Sequence, residues 1–201
     1  MPAWVWVLII AAAVIVVAAV VWRALTTRRT RQLQDRFGPE YNRTLQSSDN
    51  KRDAEAELRA RAERREELDI RPLPTAARER YVDEWQRVQA LFVDDPQGAV
   101  HDGDMLIQSV MRDRGYPMDD FEQRSADVSV DHPKVVENYR EGHRLANASA
   151  RGDGTTEDLR QAMRHYRTLF EELVDETADA PLSRDEETGA RADDTAVSRR
   201  G

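Results

Sequence analysis

The chain has no cysteine, few aromatic residues and no strand-like pattern. Without cysteine, its 201 residues cannot form disulfides, thiolate nucleophiles, or cysteine-ligated zinc and iron–sulfur sites. Aromatic residues make up 6% and charged residues 34%, so the hydrophobic core must be small or the chain partly extended. No segment alternates apolar and polar residues with a period of two, which leaves no material for a sheet. We therefore expect an all-α protein.

Charge and histidine spacing exclude several functions. The formal net charge of −8 argues against nucleic-acid binding, which depends on neutralising phosphates. None of the four histidines has the E-x-x-H spacing of carboxylate-bridged metal helices or the H-E-x-x-H spacing of zinc proteases. Gly-rich phosphate loops, G-x-S-x-G elbows and EF-hand loops are also missing. We predict no catalytic, metal or cofactor-binding residue, and no cofactor.

One long apolar run organises the chain. Residues 3–22 contain no charged or polar side chain other than tryptophan, and as a helix they would span about 30 Å, the thickness of a hydrocarbon core. Trp4, Trp6 and Trp22 lie near the ends of the run, where indoles favour the membrane interface. The sequence predicts a single-pass anchor in domain 1–27, with the lipid bilayer contacted by residues 3–22.

A basic collar follows the run and sets the predicted orientation. The collar comprises Arg23, Arg28, Arg29 and Arg31. By the positive-inside bias, the N-terminus lies outside and the rest of the chain is cytoplasmic at the plasma membrane. The collar could also bind anionic lipid, although setting topology alone is the favoured interpretation. A cleaved signal peptide is the competing interpretation, but the basic n-region that it needs is missing.

Residues 28–74 predict a juxtamembrane helix followed by a charged stalk. Gly38-Pro39 interrupts the helix, while Leu33, Phe37, Tyr41 and Leu45 recur every four residues across the break and could share one apolar stripe. Residues 51–68 are strong helix formers with mostly alanine as apolar content. A helix that is polar nearly all round is a solvated spacer or a loose coiled-coil strand, and we expect the spacer.

Residues 75–174 predict a small bundle of four main helices and one short helix. Apolar residues recur with helical period over about 76–93, 96–114, 132–148 and 156–174, with the short helix at about 118–128. The pairs Asp95-Pro96 and Asp131 with Pro133 each predict the start of a helix. Residues 175–201 are acidic without apolar period, which predicts a disordered tail.

Clusters of acids offer the remaining candidate site. They are Asp94-Asp95, Asp102 with Asp104, Asp119-Asp120 with Glu122, and Asp131. A metal or acid–base site is one interpretation; the other is that aspartate caps helix starts and favours the helix dipole there. Capping is the stronger hypothesis. His143, one turn after Tyr139, is expected to be a core or boundary histidine.

Five segments together resemble a known family. They are RFGPEY (36–41), ERYVDEWQRVQALFVDDP (79–96), RDRGYP (112–117), SVDHPKVVENYR (129–140) and TTEDLRQAMRHYRTLFEEL (155–173). The chain resembles uncharacterised, membrane-anchored helical proteins of actinobacteria and other bacteria. The resemblance implies an anchor followed by helices, and it brings no activity, cofactor or catalytic residue.

The functional hypothesis is a membrane-anchored, non-enzymatic helical module that contacts an unknown protein partner from the cytoplasmic side. Two alternatives stay open. One is an enzyme with a site between helices, and the other is a spacer that self-associates through residues 51–68.

Overall fold

The structure, a computed structural model, describes the backbone of residues 3–175, and side chains at Trp4 and from residue 14 to residue 175. Within this range the chain forms eight helices and no strand, which confirms the all-α prediction. The helices are α1 (Ala3–Phe37), α2 (Pro39–Ser47), α3 (Lys51–Glu67), α4 (Thr75–Leu91), α5 (Pro96–Arg114), α6 (Phe121–Asp131), α7 (Val136–Ala150) and α8 (Thr156–Asp175). The predicted disordered tail lies outside the described residues from residue 176 onward.

Helix α1 runs without a break from the apolar run through the basic collar. It stops at Gly38, whose φ of 46° no β-carbon-bearing residue adopts readily, and Pro39 begins α2. Among the residues that the structure describes, no helix is long and apolar enough to cross a membrane. The side chains of residues 5–13, which form much of the predicted anchor, lie outside that description.

The larger of two hydrophobic cores, the bundle core, lies among α4, α5, α7 and α8. Trp85 and Phe170 stack there with ring centroids 4.7 Å apart, and Tyr139 and Tyr166 are fully buried. Helices α7 and α8 pack so closely that a β-carbon on Gly142 would lie 2.6 Å from the Tyr166 ring. The helix periods in the sequence predict this core because its members are large apolar residues.

The smaller core, the base core, corrects the prediction of a solvated stalk. It joins the end of α1, α2, α3 and α6 through Leu33, Phe37, Tyr41, Leu58, Ala62 and Val130, with Leu45 packed against them. Leu58 and Ala54 of α3 are fully buried. A helix with only three buried apolar positions can therefore pack, because alanine allows close approach and the rest of the contact is polar. The stripe predicted across the Gly38 break is confirmed.

The start of α7 also differs from the prediction. Asp131 is the last residue of α6, and α7 begins only at Val136, after a turn in which Val135 and Val136 donate backbone hydrogen bonds to the His132 carbonyl. The aspartate carboxylate pairs with Arg65 instead of capping a helix. Helix α6 begins at Phe121, three residues later than predicted, because Asp120 caps its N-terminus.

Candidate functional site

The described part of α1 exposes an apolar surface. Its large apolar side chains from Val14 to Trp22 are 51–69% exposed, whereas Leu33 and Phe37 at its other end are buried in the base core. Contiguous exposed apolar surface of this kind marks contact with a membrane or a partner. One end of the described part of α1 thus has an exposed apolar surface, and its other end packs into the base core.

The four collar arginines, Arg23, Arg28, Arg29 and Arg31, are all exposed. None of them forms an ion pair with another residue of the described range 14–175. The predicted roles of the collar, in setting topology and in binding anionic lipid, stay predictions.

Helices α1 and α3 lie side by side and run in the same direction. Near the collar, Thr30 donates a hydrogen bond of 2.8 Å to Glu55; farther along, Arg36 lies 3.5 Å from Glu66. Tyr41 of α2 also donates to Glu55, at 3.0 Å. Burial opposes ionisation of Glu55, but these two hydrogen bonds and the charge of Lys51 outweigh it and lower its pKa.

A buried ion cluster, which the sequence did not predict, joins the base to the bundle. The Glu40 carboxylate on α2 is only 2% exposed and accepts two hydrogen bonds of 2.8 Å from the Arg140 guanidinium of α7. Arg61 of α3 donates a third, at 2.9 Å. Burial alone would raise the pKa of Glu40, but Arg140 and then Arg61 outweigh burial and lower it. We call these three residues the Glu40 cluster.

Two further arginines of α3 reach α6. Arg64 donates to Asp127 at 3.1 Å and to Asp119 at 2.6 Å, and Arg65 pairs with Asp131. Asp127 is only 1% exposed. These arginines, which made α3 look solvated, are in fact its contacts with α6 and the loop before it. Helical periodicity cannot predict such a contact because it takes only apolar residues into account. No sequence motif indicates which acidic residues the arginines pair with.

A cavity of about 400 Å³ lies between α5, α7 and α8. Its lining is mostly apolar, with His101, Asp104, His143 and Tyr166 among its polar residues. Among the described groups, neither Asp104 Oδ1 nor the Tyr166 hydroxyl has a hydrogen bond of ordinary geometry. Burial raises the pKa of Tyr166, and the charge of Asp104 raises it further. The cavity thus brings a carboxylate, a tyrosine hydroxyl and two imidazoles together.

His101 and His143 line the same cavity, whereas His132 and His165 lie elsewhere in the fold. His143 stacks on Phe121 at 3.7 Å, and burial lowers its pKa, as expected for a boundary histidine. His132 is buried 3.4 Å from Glu172, and His165 lies 2.8 Å from Asn138. Within residues 14–175, no group of three or more acids and histidines is arranged to hold a metal ion.

Capping explains two of the acid clusters. Asp95 accepts a hydrogen bond from the Gly98 amide, and Asp120 from the Gln123 amide, both at 2.9 Å. Asp131 does not cap a helix but pairs with Arg65, and Asp104 lines the cavity between α5, α7 and α8. Asp158 completes a capping box with Thr155, its carboxylate accepting from the Thr155 amide at 2.7 Å.

No family model matches the chain, and no curated protein or solved structure matches it either. The family resemblance in the five segments therefore stays a prediction.

Proposed function

We propose that the protein is a single-pass membrane protein whose helical domain lies on the cytoplasmic side of the plasma membrane and acts by contact with a partner protein. The single observation that carries the proposal is helix α1. Its exposed apolar residues up to Trp22 belong to the same unbroken helix that Phe37 fixes in the base core. An apolar helix of this kind is stable when lipid, not water, surrounds it.

The way α1 joins the fold defines what kind of anchor it would be. Only about 16 Å of helix separates Trp22 from the first base-core residue, Leu33, at 1.5 Å per residue. No flexible linker intervenes. The domain would therefore be held at the membrane surface in a fixed orientation, which suits a scaffold that presents one face to its partner.

Membrane anchoring is tested by fractionating cells that express the full chain or a variant lacking residues 3–22. We expect the full chain to stay in the membrane pellet after alkaline carbonate extraction and the variant to be released. Release of the full chain would refute anchoring. Protease added to intact cells should leave the helical domain uncut; digestion of that domain would refute the orientation.

Partner contact is tested by crosslinking in intact cells. A matched control replaces residues 3–22 with an unrelated membrane-spanning helix, which keeps the tether and the domain. Both chains should crosslink to the same stoichiometric partner. If only lipid and chaperones are recovered, the interaction role fails while the anchor stands.

Self-association through α3 is less well supported. The apolar residues of α3, Ala54, Leu58 and Ala62, are already buried within the chain. A zipper through them would first have to expose the base core. Light scattering of fragment 28–174 tests self-association. A dimer at micromolar concentration would support it, and a monomer would count against it.

An enzyme remains the second candidate because of the cavity between α5, α7 and α8. Its half-buried Asp104 carboxylate and buried Tyr166 are groups that catalysis could use. Elemental analysis of the purified protein discriminates at low cost, since a stoichiometric transition metal would favour an enzyme over an interaction module.

A further inference from the structure

A groove of about 960 Å³ lies between α1 and the beginning of α3. On α1 it is lined by Ala19 and Trp22, the last part of the apolar run, and then by Arg23 and three threonines; on α3 it is lined by Lys51 and Arg52. Glu55 forms part of the polar end. An apolar end followed by a cationic end is the pattern that an anionic amphiphile requires.

The charge of the groove favours an anion. Three cationic residues and one carboxylate line it, which leaves a net charge of +2. The carboxylate of Glu55 already accepts hydrogen bonds from Thr30 and Tyr41, and Lys51 lies 3.5 Å away. Arg23 and Arg52 form no ion pair with a described residue, so their charges are not neutralised within the described chain.

The depth of the groove matches the headgroup layer of a bilayer. Because Thr30 contacts Glu55 and the helices are parallel, Lys51, four residues before Glu55, is level with Thr26. This level is four residues, or about 6 Å, beyond Trp22. The polar layer on each side of a hydrocarbon core is about 5–8 Å thick.

We propose that this groove binds an anionic phospholipid of the surrounding bilayer. Arg23, Lys51 and Arg52 contact its phosphate headgroup, and Trp22 and Ala19 contact the beginning of its acyl chains. The proposal rests on the proposed membrane anchoring. It differs from general attraction by the collar, because two of its three cations come from α3, which is distant from the collar in sequence.

The test uses the full chain reconstituted into phosphatidylcholine vesicles with and without phosphatidylglycerol, followed by native mass spectrometry of the lipid retained per chain. Wild type should retain phosphatidylglycerol. The double variant Lys51→Gln/Arg52→Gln should weaken retention roughly thirtyfold, since each cation near a membrane surface contributes about fivefold.

The matched control is Arg28→Gln/Arg29→Gln, which removes the same charge from the collar outside the groove. It should retain phosphatidylglycerol better than the groove variant. Equal losses in both variants would overturn the proposal, because attraction would then be diffuse. Thr27→Trp fills the groove without changing charge and should also lower retention; unchanged retention with a filled groove would likewise overturn it.

Three further outcomes separate the possible failures. If excess inorganic phosphate displaces the bound lipid, the groove is a site for free phosphate and the lipid proposal is wrong. If the chain inserts into both kinds of vesicle but retains phosphatidylglycerol no better than phosphatidylcholine, the groove proposal fails and the anchor stands. If it inserts into neither, both fail together.

Discussion

The bundle and the base are two regions of one helical domain held together by different forces. The bundle core is large and apolar, with stacked and tilted aromatic rings at its centre. The base core is small, and the Glu40 cluster and the other arginines of α3 supply most of its remaining contacts. A region with little apolar surface can be ordered when its charges are paired across helices. Such order depends on pH and on single residues more than apolar packing does.

The largest expected effect is in the bundle. Phe170→Ala should lower the free energy of unfolding by about 3–5 kcal/mol, because it removes a buried ring stacked on Trp85. Urea unfolding of fragment 23–175, which keeps both cores, measures the change. Val93→Ala at an 83% exposed position is the control and should change little. Equal effects would mean that the bundle core is not the main source of stability.

The next largest effect is in the base. Glu40→Gln should cost about 3 kcal/mol, because it leaves Arg61 and Arg140 partly buried without their counter-charge. Glu57→Gln removes an exposed partner of the same Arg61 and should cost less than about 1 kcal/mol. If the two variants are equally stable, the Glu40 cluster does not hold the base to the bundle.

The same carboxylate predicts an acid sensitivity. The pKa of Glu40 is lowered on folding, so its contribution to stability is present above its ordinary value of 4.5 and lost as pH falls through the lower folded value. Stability measured against pH should therefore fall more steeply below about pH 4.5 in wild type than in Glu40→Gln. Parallel curves would show that the cluster does not contribute to acid unfolding.

A smaller effect distinguishes a packed α3 from a solvated one. Leu58→Ala should cost about 2–3 kcal/mol, because Leu58 is fully buried. Arg59→Ala, one residue along on the exposed side, should stay within about 0.5 kcal/mol by the same urea measurement. If Leu58→Ala is as stable as Arg59→Ala, α3 is a solvated stalk and not a packed helix.

The smallest effect is a helix cap. Asp95→Ala should cost about 1 kcal/mol, because its side chain accepts the Gly98 amide at the start of α5. Asp94→Ala changes the neighbouring exposed aspartate and should be nearly neutral under the same conditions. A larger loss of stability in Asp94→Ala than in Asp95→Ala would show that Asp94, and not Asp95, caps α5.

The success of sequence reasoning differed between the two regions for a physical reason. Helices α4, α5 and α8 were predicted to within two residues because large apolar side chains with helical period must be buried. Asp131 was wrongly predicted to start a helix, because an aspartate that ends a helix before His132-Pro133 has the same local sequence pattern as an N-cap. Only the position of Arg65 decides which partner that carboxylate takes.

By itself, the sequence determined the all-helical class, the break at Gly38 and the apolar stripes, since these follow from local propensity and period. It could not determine that α3 folds back beside α1, or that Glu40 meets Arg61 and Arg140. The reason is that a charged residue is stable either in water or in a buried pair. Only the folded chain brings the opposite charge close enough to decide between them.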